Sequence, residues 1–271
     1  MKKFLILLLI GGFLLTSSLA FGFTLGGYMG KIELKFNNWD YGTIYPANTN
    51  NPPDGGGSGL TDSYGIFRIT SIEAIVSPAM PALWTPTLSE NLEGWFYGLS
   101  DDGAVIDGSG AGNIWTTGGF FEVYIGPFNL NQGAGPGGVP TLPNPPASDI
   151  WNATDGTLFL SAQFIPGIVP GDLTTTYYQR IDTTVPVTGH GAGYLAVTGG
   201  SYAALFDSNA FLGGAADLFL QADFSGPGDY LWTVNSHDPV TGNAVPEPAT
   251  MLLLGSGLIG LAGFARKRFK K

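Results

Sequence analysis

Carboxylates are the groups in this 271-residue chain best placed by number to do chemistry in pairs. Glu73, Glu90, Glu93 and Glu122 are the raw material of glycoside hydrolysis, in which two acids face each other across a cleft. No spacing among them marks a pair, and solvent-facing strand positions account for the same letters. Asp101, Asp102 and Asp107, in LSDDGAVIDGSG, are hard oxygen donors of the kind calcium takes. Their spacing matches neither an EF-hand loop nor a GGxGxD repeat, and a hairpin turn at Asp101-Asp102-Gly103 explains them as well. A serine hydrolase needs a nucleophile, a base and an orienting acid, but His190 lies between two glycines, where the chain reads as a turn, and no serine sits in a G-x-S-x-G elbow. Without any cysteine, and with only His190 and His237, the chain excludes thiol nucleophiles, C-x-x-C redox pairs and Cys- or His-rich metal centres. The expectation is a protein without catalytic turnover and without a cofactor, calcium being the option kept.

Binding is the stronger rival to catalysis. Six tryptophans and eleven tyrosines offer rings that suit sugar faces as well as cores. Trp95 and Trp232 read as strand residues, whereas Trp39 and Trp151, set beside Asn and Asp, are the candidates for glycan contact. Charge narrows the partners. Residues 23–244 hold twenty acidic side chains against Lys31, Lys35, Arg68 and Arg180, a net charge of −16. Nucleic acid and anionic lipid are excluded, because a binder of phosphates needs a basic footprint.

The elements that must position these residues read as short strands punctuated by Gly, Pro, Asn and Asp. Residues 31–36 alternate, with Ile32, Leu34 and Phe36 on one face, as a half-buried strand requires. Further strands are expected at 66–72, 94–99, 120–125, 157–164, 174–179, 194–198, 217–224 and 230–234, with a short helix at 203–212. Residues 158–164 (LFLSAQF) and 218–224 (LFLQADF) share five of seven letters, which places two strands in equivalent core positions rather than announcing a repeat array. The Gly/Pro-rich segments 48–59 and 131–146 read as loops. An all-β fold follows, a β-sandwich of jelly-roll or lectin-like type in preference to a barrel.

Both ends carry addresses. Lys2 and Lys3 precede an apolar run and then Ser18-Leu19-Ala20, a small-x-small site with Ala20-Phe21-Gly22 as a second choice, so residues 1–22 read as a cleavable signal peptide for the Sec export machinery. At the other end, residues 249–265 contain no charge and as a helix would span roughly 25 Å, enough to cross a bilayer with snorkelling flanks. Arg266, Lys267, Arg268, Lys270 and Lys271 would hold that end in the cytoplasm. Pro246 and Pro248 keep Val245 to Pro248 extended at the outer membrane face. Gly255-Ser256-Gly257-Leu258-Ile259-Gly260 fits G-x-G-x-x-G, but with no strand before it and inside the apolar span it reads as helix packing.

Val245-Pro246-Glu247-Pro248, the Gly-rich apolar span and the basic cluster together resemble the PEP-CTERM sorting signal of Gram-negative bacteria, read by the membrane enzyme exosortase. The resemblance implies that Pro246, Glu247 and Pro248 are recognition residues on a substrate, and that residues 245–271 hold the chain at the inner membrane until processing sends it to the surface or matrix, in association with extracellular polysaccharide. GHGAGYLAVTGGSYAALFDSNAF, ADLFLQADF and NSHDPVTGNAVPEP resemble, more loosely, flocculation-associated PEP-CTERM proteins. They imply a role in biofilm or floc. A lectin-like module, calcium-dependent or not, and a glycoside hydrolase are the alternatives.

Overall fold

Nine strands run through the described residues, most of them built on alternating apolar and polar positions: β1 (Gly30–Tyr41), β2 (Asp62–Ala74), β3 (Asn91–Ile106), β4 (Ala111–Gly126), β5 (Thr157–Ile165), β6 (Tyr177–Asp182), β7 (Thr188–Gly199), β8 (Leu218–Ser225) and β9 (Val234–Ala244). The structure is a computed structural model that describes residues 23, 25–41, 62–76, 80–87, 89–127, 153–182, 184, 188–225, 234–245 and 256. The expected signal peptide, the two Gly/Pro-rich loops, Trp151, Trp232 and, Ser256 apart, residues 246–271 with the expected membrane span lie outside them. No helix among the described residues is long and apolar enough to cross a membrane.

All nine strands join one antiparallel sheet in the order β3-β2-β1-β9-β8-β7-β5-β4-β6. Because β4 also pairs with β3, from Asn91 opposite Gly126 to Ile106 opposite Gly112, the ladder returns to its start and closes. Two separate sheets, as a sandwich would have, are not seen: among the described residues the pairings form one sheet closed on itself, every strand having a neighbour on both sides. β5 and β6 share one stave. The first half of β4 pairs with β6 and its second half with β5, and β7 changes partner in the same way.

A pair of glycines makes that change possible. Buried positions on β4 fall at Ile114 and Thr116, then at Gly119, Phe121 and Val123, so the in/out phase slips by one between them. Gly118 and Gly119 adopt φ of 71° and 101°, which L side chains rarely do. A Cβ on Gly119 would stand 2.4 Å from the Leu99 side chain.

The interior is filled rather than hollow. Phe36, Phe67 and Phe121 pack together, the last two stacked 4.5 Å apart although they lie on β2 and β4, which are not neighbours. Phe23, Phe159, Tyr202 and Trp84 form a second ring cluster continuous with the first. The two similar segments become β5 and β8, which flank β7 on either side, with Leu160, Ala162 and Phe164 matching Leu220, Ala222 and Phe224 in burial. Two local expectations are corrected. Asp101-Asp102-Gly103 is a bulge inside β3, the hairpin turn coming later at Asp107–Gly110. The expected helix at 203–212 is a single 3-10 turn, Ala203–Leu205.

Candidate functional site

The last strand delivers the expected sorting segment. β9 ends at Ala244, which is buried in the core, and the Val245 N–H donates to the Leu205 carbonyl at 3.0 Å. Val245 is therefore fixed to the fold, and Pro246 follows it immediately. Pro246, Glu247, Pro248 and the basic residues Arg266, Lys267, Arg268, Lys270 and Lys271 lie outside the described residues.

The four glutamates that sequence offers for hydrolysis each have a partner or a covered setting. Glu73 accepts from Lys35 Nζ at 2.7 Å and from Ser71 Oγ at 2.9 Å. The hydrogen bonds from Lys35 and then Ser71 hold its carboxyl below the usual range. Glu90 accepts from Trp84 Nε1 at 2.9 Å. Glu93, buried, stands opposite Arg68 in the β2–β3 register. Glu122 accepts three hydrogen bonds, from Trp95 Nε1 at 2.9 Å, Tyr97 Oη at 3.2 Å and Tyr124 Oη at 2.7 Å. Trp95, Tyr97 and Phe120 stack in succession beside it, 4.0 and 5.2 Å between centroids. Burial, then the Glu122 charge, pushes Tyr97 up to about 12; burial and the bond to Glu122 push Tyr124 up as well. Glu122 thus serves as a cross-strand clamp between β3 and β4.

Two of the calcium candidates, Asp101 and Asp107, are held apart by separate bonds. Asp101 accepts from Thr116 Oγ1 at 2.9 Å, whereas Asp107 closes the hairpin turn by accepting from the Ser109 N–H at 2.8 Å and the Ala111 N–H at 3.2 Å. Six residues of extended strand put them about 20 Å apart. Asp102 sits at the bulge on the backbone. Among the described residues no three His, Asp or Glu side chains are grouped to hold a metal ion. Trp39 lies on β1, opposite Ile66 and Asn235 in the ladder.

His190 is the largest departure from the sequence reading. It stands on β7, not in a turn. In Gly189-His190-Gly191-Ala192-Gly193-Tyr194 the glycines point inward, where a Cβ would strike Phe224, Tyr177 and Phe164 in turn, so the rings of β5, β6 and β8 occupy the space the glycines leave. His190, Ala192 and Tyr194 therefore face out. Across β6, β7 and β8 the register sets Tyr178, Ala192 and Gln221 in one row and Arg180, His190 and Asp223 in the next. Asp223 accepts a hydrogen bond from His190 Nδ1. The Tyr178 hydroxyl donates to Asn113 Oδ1 at 2.7 Å and its ring leans on Trp115. Ala192, the smallest of these side chains, leaves a hollow of about 260 Å³ among the larger ones. The signal in the sequence was glycine at every second position, the period of a strand.

Comparison with known protein families finds the PEP-CTERM protein-sorting motif at residues 244–268. The matched segment begins on the final residue of β9. No curated protein and no solved structure matches the chain. The motif marks an exported protein whose C-terminal signal is membrane-anchored and processed by an exosortase.

Proposed function

We propose that this PEP-CTERM protein is a structural component of the cell surface or extracellular matrix, where its all-β domain retains extracellular polysaccharide and promotes aggregation in flocs or biofilm without catalytic turnover. The sorting motif abutting the last strand carries the reading. The Sec machinery would export the chain, and a cut at either expected signal-peptide site leaves Phe23, a core residue, in the mature protein. Residues 249–265 would anchor it in the inner membrane with the basic tail inside, and exosortase would then cut near Val245 to Pro248. The domain suits life outside the cell: it is acidic, free of cysteine, and built round one aromatic core. The absence of turnover is supported by the engagement of Glu73 and Glu122 in bonds across neighbouring strands and of Glu90 in a bond to Trp84. Deleting the gene in its own host is the test. Reduced aggregation and loss of surface-bound polysaccharide, restored by the intact gene, are expected; a deletion strain that aggregates and holds its matrix normally would remove the role.

A further inference from the structure

We infer that the hollow over Ala192 is a binding subsite for one neutral hexose unit of a polysaccharide. The inference deepens the proposed surface role, but it concerns a measurable property of the protein itself. Three features of the outer face carry it.

The first is shape. At about 260 Å³ the hollow is slightly below the roughly 300 Å³ at which drug-sized pockets begin, so it takes a single ring and not a long apolar segment. The second is the distribution of groups. Tyr178 supplies an aromatic wall, steadied by its hydrogen bond to Asn113 and its contact with Trp115, against which the C–H face of a sugar can lie. Gln221 faces it from β8 across Ala192, offering an amide donor and acceptor. At the end of the hollow Arg180, His190 and Asp223 stand in one row, and Asp223 orients the imidazole. Donors and an acceptor side by side match adjacent hydroxyls, each of which both donates and accepts. An acyl chain or an apolar peptide would leave these groups unanswered.

The third is charge. Arg180 joins no ion pair among the described residues, but the Asp223 carboxylate lies two strands away in the same row and the surrounding domain carries −16. The field therefore disfavours a polyanion, and a neutral sugar suits the site better than a uronate. One open subsite of this kind supports a Kd of about 1 mM for a short oligosaccharide. Many copies of the protein on one polymer would raise the retention far above that by multivalency.

Saturation-transfer NMR on the full chain in detergent micelles tests this, with neutral glucan, mannan and galactan hexasaccharides and a hexauronate as probes. At least one neutral hexamer should receive saturation, and Ala192→Leu, which fills the hollow from the solvent side, should weaken it at least 10-fold with the far-UV spectrum unchanged. Gln221→Ala should weaken it about 5-fold and serves as the deciding variant if Ala192→Leu fails to fold. No transfer to any neutral hexamer, equal transfer with the hollow filled, or preference for the hexauronate would overturn the assignment. None of these results bears on whether the chain is sorted or promotes aggregation, so the two readings fail separately.

Discussion

Asp217 is the side chain on which the local architecture around the chain's exit depends most. Although buried, its carboxylate accepts from three backbone amides: Val197 at 2.7 Å, Ser208 at 2.8 Å and Asn209 at 2.6 Å. It thereby ties β7 and β8 to the loop after the 3-10 turn whose Leu205 carbonyl receives Val245, and it holds Asn209 in a left-handed conformation, φ 50°. Asp217→Ala leaves these donors without an acceptor, and a loss of at least about 3 kcal/mol in urea unfolding is expected. Tyr97 gives a second residue-scale prediction. Its folded pKa, about 12, lies above the value of about 10 in an unfolded chain, so its contribution to stability is complete below about pH 10 and is lost as pH rises through about 12. In an ultraviolet titration Tyr97 and Tyr124 should ionise above the ordinary tyrosine range of about pH 10, and Glu122→Gln should bring both transitions down.

At the scale of elements, β4 shows where sequence was legible and where it was not. Residues 120–125 declare themselves by aromatic and β-branched content, but the strand runs back to Ala111 through Gly112, Gly118 and Gly119, residues that carry no strand signal of their own. Only the tertiary change of partner from β6 to β5 gives those glycines their purpose. Gly119→Ala is expected to cost about 3 kcal/mol or more, since it combines a disfavoured φ with a clash against Leu99 and Phe164; a thermal melt within a degree of the parent would contradict this. The same blindness hid the first half of β7, where alternate glycines passed for a turn although 194–198 read as strand, and β9, whose polar sequence with Pro239 carries little strand propensity and is held by pairing with β1 and β8. In β1 the alternation over 31–36 was legible, while the strand's continuation to Tyr41, with Asn38 buried, was not. The dispersed aspartates make another element-scale prediction: about 1 mM calcium should leave the melting temperature unchanged, because Asp101 and Asp107 belong to different parts of the β3–β4 hairpin.

For the whole molecule, the first described residues and the start of the sorting motif meet at one end of the closed sheet. Phe23 packs on Tyr202 and Phe159, and Val245 bonds to Leu205 three residues beyond that tyrosine, while Gly30 pairs with Ala244 between them. The sorting motif thus begins on the last residue of the fold's final strand, with Val245 still bonded to it. The sorting motif was readable in sequence because it is written in local composition alone. The closure of the sheet was not, since it depends on β3 meeting β4 along their whole length. Intact-mass spectrometry of protein extracted from the surface of exosortase-bearing cells tests the central claim, that the chain is a sorted and processed export substrate. The account predicts a species lacking both the signal peptide and the segment beyond the Pro246-Glu247-Pro248 region, and an intact tail from Arg266 to Lys271 on the surface protein would contradict it.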